Sequence, residues 1–271
     1  FPHISAPARA AFFAYTSAQN DSGRQEAADR AHFLRLLDHY NVAHPAETVS
    51  HFFGQLGDVW IKWECHTEFV TYTAFVDGLG DVAFDGSEFA IFPAAWQAAM
   101  PGTTLSSTSI RVEEDQDTQS IKDKLDGWFV SESLAASRVL DRAAVIAGDY
   151  RMDGNGNMRF AVFVPASTGR RRVGRIVQRL NEIEVYKTMS MLGLMRARSL
   201  SIELNAVDTN LSALVADLAD DQVSAEDNLN GLLKLSADLE GHSAAVAYRF
   251  SASKAYAAIV AQRIEVLRES Q

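Results

Sequence analysis

The sequence predicts an α+β fold: a mixed β-sheet domain with flanking helices, followed by a long antiparallel helical hairpin that resembles a coiled-coil stalk. Three observations carry that prediction. Up to Pro165, strand, hairpin and helix signals are interleaved, which favours a mixed sheet over a purely parallel, doubly wound one. From Thr168 to Gln271 there is no proline and little turn chemistry. Within that stretch leucines recur at steps of three and four, the spacing of a coiled-coil seam. The organisation expected is a mixed α/β domain over 1–166 and a helical hairpin over 167–271.

Taken in order, Ser22 to Asn41 reads as a helix capped by Ser22, with Phe33, Leu34, Leu36, Leu37 and Tyr40 on one side. Pro45 closes it. His51 to Val76, rich in β-branched and aromatic residues, reads as two strands. A loop spans Asp77 to Gly86, and a short helix spans Ala94 to Met100 and stops at Pro101-Gly102. Thr103 to Val112 is strand-like, and Ile121 to Phe129 a short helix. Ala143 to Tyr150 and Met158 to Val164 pair as a hairpin around Asp153-Gly154-Asn155-Gly156, whose residues suit the positive φ of tight turns.

The two long helices follow. Leu200, Leu204, Val207, Leu211, Leu214 and Leu218 mark the outgoing seam. Leu235, Leu239, His242, Val246, Phe250, Ser253, Tyr256, Val260, Ile264 and Leu267 mark the return. A helix over 169–219 would be about 75 Å long at 1.5 Å per residue. The join is expected after Asp220. The second helix is still amphipathic at Ile264 and Leu267, so the natural protein is expected to continue beyond Gln271.

Composition narrows the function classes. The net charge of −10 argues against general nucleic-acid binding, which needs positive surface to release counterions. The charge is unevenly spread: 12 basic and 22 acidic residues over 1–169, 8 and 2 over 170–198, 1 and 9 over 199–247. A single cysteine, Cys65, excludes an internal disulfide and a cysteine-built zinc site, and fits a reducing compartment. No run approaches the roughly 18 apolar residues of a membrane helix. The start at Phe1, with neither methionine nor a signal pattern, reads as a processed or engineered boundary.

Two polar constellations stand out. If Trp60 to Phe69 is one strand, Ile61, Trp63, Cys65, Thr67 and Phe69 point inward, and Lys62, Glu64, His66 and Glu68 line the other face. Two carboxylates flanking an imidazole could hold a divalent ion or tune a general base. A solvated or cross-strand-paired face would look the same. The second constellation is Arg170, Arg171, Arg172, Arg175 and Arg179, crowded at a helix N-terminus where positive charge opposes the macrodipole. Such crowding implies compensating anions: carboxylates of the acidic domain, a phosphate or lipid headgroup, or a neighbouring subunit. Six of the seven histidines fall within the first 66 residues, without zinc-motif spacing. The run from Asp153 lacks the glycine and glutamate of a calcium loop, with Met158 and Val164 in their places. Gly169 to Gly174 has phosphate-loop spacing but Arg175 and Ile176 in place of lysine and Ser/Thr.

Several motifs carry a family resemblance: Trp63-Glu64, His66-Thr67-Glu68-Phe69 and Thr71-Tyr72-Thr73; Asp29-Arg30 with His32; Asp149-Tyr150-Arg151; Gly174-Arg175 with Gln178-Arg179; Ile183-Glu184-Val185-Tyr186; and Tyr248-Arg249-Phe250-Ser251-Ala252-Ser253 with Ala255-Tyr256. Over nearly the whole chain they resemble a bacterial family of uncharacterised membrane-anchored proteins, a domain of unknown function. Cys65 departs from that pattern, which has arginine there. The resemblance implies further helix and membrane segments after Gln271, and a location on the cytoplasmic side of the bacterial inner membrane. The element order is also similar to CorA-type magnesium channels, an analogy of architecture. The leading expectation is therefore a cytosolic sensing and oligomerisation region, homo-oligomeric through the long helices and using magnesium or another divalent cation. The alternatives are a ligand-free scaffold that recruits partners through its helices and, third, an enzyme using His66 with Glu64 or Glu68. No catalytic residue is assigned.

Overall fold

A computed structural model describes residues 2–17, 19–20, 23–24, 26–140, 144–217 and 224–268. Two compact units divide the chain: Phe1–Val185 with Gln262–Gln271, and Tyr186–Ala261. The fold is α+β, as the alternation of signals predicts.

The first unit opens with β1 (Ala8–Ser17), then a two-residue ladder of β2 (Gln19–Asn20) and β3 (Gly23–Arg24), then α1 (Glu26–His39). β4 (His51–Leu56), β5 (Val59–Cys65) and β6 (Val70–Asp77) form a meander, and a 3₁₀ turn at Ser87–Phe89 precedes α2 (Ala94–Ala98). β7 (Gly102–Glu114), α3 (Thr118–Trp128), β8 (Ala135–Val139), β9 (Ala144–Gly148) and β10 (Met158–Val164) complete it. The eight long strands make one sheet in the order β4-β5-β6-β1-β7-β10-β9-β8. Every pairing is antiparallel except β10 with β7, so one parallel ladder makes the sheet mixed.

The central position of β1 explains why it escapes pattern reading. Ala8, Ala10, Ala11, Phe12, Phe13, Ala14 and Tyr15 are all buried, so no polar residue alternates with an apolar one. Ala8 and Ala10 pack with Val112, Val162, Val173, Ile176 and Val177, under the start of α4 (Arg170–Asp217). Ala11, Phe13 and Tyr15 face the other way, into a core shared with Phe33, Leu36 and Leu37 of α1 and Trp96 of α2. A third cluster seats Ile121 and Leu125 of α3 on Ala147, Ala161 and Phe163. Asp117 caps α3, its carboxylate accepting from the Gln119 and Ser120 amides at 3.1 and 3.4 Å.

Several boundaries differ from expectation. His51 to Val76 contains three strands, not two, because the β4–β5 hairpin turns on only Gly57-Asp58. Gly57 takes φ 57°, as the first central residue of a type II′ turn requires. β8 also carries no clear alternation in the sequence. The Ala143–Val164 hairpin forms as β9 and β10, with Gly156 at φ 82° in its loop. The helix expected from Ser22 starts only at Glu26, because Gly23-Arg24 belongs to β3; Ser22 itself and the join after Asp220 fall outside the described residues.

The second unit holds the long helices, α4 and α5 (Ala225–Arg268), over residues 186–261. Stacked Tyr186 and Tyr256, Glu203 with His242, and Gly231 against Leu214 advance on one helix as they retreat on the other, so the pair is antiparallel. No described helix is long and apolar enough to cross a membrane.

Candidate functional site

On β5, Lys62 Nζ meets Glu64 Oε1 at 2.8 Å on a half-exposed face. The strand ends at Cys65. His66, Thr67 and Glu68 form the turn into β6, closed by the His66 amide donating to the Phe69 carbonyl at 2.9 Å. The two-residue alternation expected through Phe69 therefore breaks after Cys65: Thr67 is exposed rather than inward, and Glu68 is buried rather than outward. The His66 ring stacks on Phe69 at 4.4 Å, and the Thr16 hydroxyl donates to the Glu68 carbonyl at 2.9 Å. These contacts fasten a turn. Among the described residues no three His, Cys, Asp or Glu side chains gather into a metal-holding group.

The arginines at the start of α4 meet different partners. Arg179 Nη1 lies 2.6 Å from Glu182 Oε2, and Arg263 Nε reaches the same oxygen at 2.5 Å. Arg171 Nε donates to His3 Nε2 at 3.1 Å, and the Ile4 amide donates to the Arg170 carbonyl at 3.2 Å. Gly174 makes this approach possible, since a Cβ there would collide with the Pro2 carbonyl. Arg170, Arg171, Arg172 and Arg175 are exposed. Among the described residues no carboxylate pairs with Arg170, Arg171 or Arg172. A recess beside Arg170, with His3, Phe53, Trp60, Phe75 and Asp77 on its walls, has about 20 Å³ of room. That is space for about one water molecule, far below a nucleotide.

A third cluster lies where the sequence predicts no site. His32 of α1 is fully buried, with Nε2 at 3.0 Å from the Trp96 carbonyl and Nδ1 at 3.4 Å from the Tyr72 hydroxyl. A carbonyl only accepts, so Nε2 carries the proton. Trp96 Nε1 donates back to the His32 carbonyl at 2.8 Å, and the two rings stack at 4.0 Å. Asp29, one turn earlier, is fully buried beside them, as are Tyr15 and Tyr72. Burial holds the His32 pKa below its usual value; the Trp96 carbonyl and the Asp29 charge oppose this, and Arg35 adds to it. Burial likewise raises Tyr72, with Tyr15 and Asp29 adding to the effect. The cluster is sealed from solvent and ties both helices to the sheet. Its sequence signal was present: Asp29 and His32 sit three apart on one helix face, and both carry the resemblance.

Other residues of the resemblance, Arg30 and Asp149 among them, also hold the fold. Arg30 donates to the Pro45 and Ala46 carbonyls at 3.0 and 2.9 Å. Buried Asp149 accepts from the Val130 and Arg151 amides and pairs with Arg159 at 3.0 Å. Tyr150 beside it takes a positive φ of 54°.

In the helical unit the seam is thin. Met189, Val207, Leu235 and Val246 are buried, while Leu204, Leu211, Leu239 and Phe250 stay 37–44% exposed. Glu203 bridges the helices, meeting Arg196 at 3.0 Å and His242 at 2.9 Å. His242 thus occupies the seam as a polar partner of Glu203. About half a turn away from that seam, α4 presents Met191, Met195 and Ile202, 55%, 64% and 74% exposed, and the exposed Ala206 and Ala213. Steps of four and seven make these one stripe, largely apolar but shared with the exposed Arg198 and Thr209, that the hairpin leaves uncovered.

No curated protein and no solved structure matches the chain, and neither comparison supports the expected likeness to CorA-type channels. A family model does match, that of a protein of unknown function, DUF3422, over residues 1–271. With the match running from the first residue to the last, the chain belongs to the DUF3422 family.

Proposed function

We propose that this chain is an assembly domain, in which the helical unit docks a partner helix on the uncovered face of α4. The observation that carries this reading is the stripe of Met191, Met195 and Ile202, each more than half exposed on a regular helix. Large apolar side chains aligned at helical spacing on a two-helix unit are what helix-in-groove and bundle interfaces are built from. Methionine adds an adaptable surface that tolerates several packings. Several residues behind the family resemblance support the same reading, since Arg30, His32, Glu64, His66 and Asp149 are spent on turns, ion pairs and buried contacts.

The divalent-cation role draws less support. Glu64 is held by Lys62, Glu68 is turned inward, and His66 lies against Phe69. Of the earlier alternatives, the scaffold moves ahead of the sensor.

The test is solvent protection in cells. In a Cys65→Ser background, single cysteines at Met191, Met195 and Ile202 are compared with one at Asn210, exposed on another side of α4. Docking predicts that a thiol reagent labels Asn210→Cys and spares the stripe. Equal labelling at all four positions would remove this function.

A further inference from the structure

The uncovered face lacks an occupant, and the charge along the hairpin selects one. Residues 186–198 and 248–261 carry Lys187, Arg196, Arg198, Arg249 and Lys254 with no acidic residue. Residues 199–247, the remainder of the hairpin, carry nine acidic residues and only Lys234 as counterweight. One end of the helical unit is therefore strongly positive and the other strongly negative.

We propose that the partner helix is α4 of a second copy of this chain, lying head to tail, with the twofold axis at Ile202. This rests on the docking reading above and gives it a partner and an orientation. Packed helices lie about 8–10 Å apart. That is close to one Debye length at physiological ionic strength, so charges across the interface are only partly screened. A parallel pair would set acidic end on acidic end and basic end on basic end. The head-to-tail pair places each basic end on the partner's acidic end, and opposite charges steer and orient the encounter.

The stripe fits the same arrangement. With Ile202 on the axis, Met191 faces the partner's Ala213 and Met195 faces the partner's Thr209, both of them exposed positions. Large against small is the interdigitation that dense packing needs. A twofold contact of this kind is self-complementary and closes at two copies.

The experiment uses the full chain with Cys65→Ser, sedimentation velocity and oxidative cross-linking. The expected result is a dimer in which Ile202→Cys links to itself. Met191→Cys and Ala213→Cys should each fail alone and link when mixed. Raising sodium chloride from low to high concentration should weaken the dimer about tenfold. Arg198→Glu with Lys254→Glu should weaken it as well, and mixing with Asp208→Lys, Asp238→Lys chains should restore it. Self-linking of Met191→Cys and of Ala213→Cys would mean a parallel pair and overturn the proposal. A dimer indifferent to salt would overturn it too, by removing the charge argument. A monomer at every concentration, with the stripe still protected in cells, would overturn the second-copy partner and leave the docking reading standing. A monomer with the stripe labelled would remove both.

Discussion

The two units bury apolar surface in opposite ways. In the sheet unit Trp63, Tyr15, Tyr72, Phe33 and Phe163 are enclosed almost completely, and buried polar groups such as His32 and Asp149 have partners. Among the described residues of the helical unit only a few, such as Val207, Leu235 and Val246, are buried, while Met195, Ile202, Leu229 and Leu233 are more than half exposed. A sheet covered on both faces can surround a side chain on all sides. Two helices cannot: each presents a single stripe to the other, and any further apolar stripe needs a third element. The difference says where stability is made within one chain and where it waits for company.

The sharpest way to break that contrast is to truncate an aromatic in the sheet unit. Trp63 is 1% exposed and stacks on Phe33 at 4.3 Å with ring planes 3° apart. Trp63→Ala should cost about 3–5 kcal/mol in a denaturant melt, from lost burial and the cavity left behind. A loss below about 1 kcal/mol would mean that this core tolerates vacancy as the helical unit does. Gly174→Val is expected to cost about 1–3 kcal/mol, because its side chain must displace Pro2 from α4 or strain the helix. The N-terminal segment should then become protease-sensitive while the sheet persists. An unchanged melt with an intact N-terminus would show that the close approach is not needed.

Acid should also separate the units. The folded-state pKa of His32 is lowered, so between that value and its ordinary 6.5 the unfolded chain binds the extra proton. Stability therefore falls as the pH drops below about 6.5. Asp115 shows the carboxylate case: hydrogen bonds from Lys124 and Ser120 hold it down to about 2 against some burial, so its contribution is lost only as pH falls below the usual carboxylate value of 3.8. In the helical unit the Glu203 pKa is lowered from 4.5; burial pushes it up, but the Arg196 hydrogen bond and the Arg196 and His242 charges prevail. That contribution also survives to pH 5. All four tryptophans, Trp60, Trp63, Trp96 and Trp128, belong to the sheet unit, so their fluorescence reports it alone. From pH 7 to pH 5 the fluorescence-detected midpoint should decline, and His32→Gln should flatten that decline. A midpoint that does not move in the parent chain would show that His32 stays uncharged at no cost.

These elements were unequally visible in the amino-acid sequence. The helical spans of α4 and α5 follow from the absence of proline and the three–four leucine spacing, which a long helix imposes without help from the rest of the chain. The β9–β10 hairpin announced itself through Asp-Gly and Asn-Gly. β1 did not, because a strand buried on both faces loses its alternation, and its place between β6 and β7 is a property of the whole sheet. For the Glu64–His66–Glu68 trio, alternation held while β5 was paired and failed where the strand turned; the next residue that reads as strand, Val70, begins β6. The His32 cluster draws on β1, α1, β6 and α2, and only the Asp29–His32 spacing was local. The stripe from Met191 to Ala213 was hidden by the stronger seam opposite it. Its exposure depends on there being only two helices, which no local pattern reveals.

The smallest expected effects lie at that stripe. Ile202→Ala removes three heavy atoms from a side chain that is 74% exposed, so monomer stability should change by no more than about 0.5 kcal/mol. Alanine's better helix propensity offsets part of any loss. The same chemical change at the fully buried Ile61 should cost about 2–5 kcal/mol. Dilution decides what the comparison means. Melts of Ile202→Ala and the parent should coincide where the chain is monomeric, then diverge as concentration rises, because a partner that binds only the folded chain adds stability by mass action. A penalty of 2 kcal/mol already present at the highest dilution would place Ile202 in an intramolecular core. Coincident melts at every concentration would show that solvent is this side chain's equilibrium environment, and the contrast between the units would then be one of packing alone.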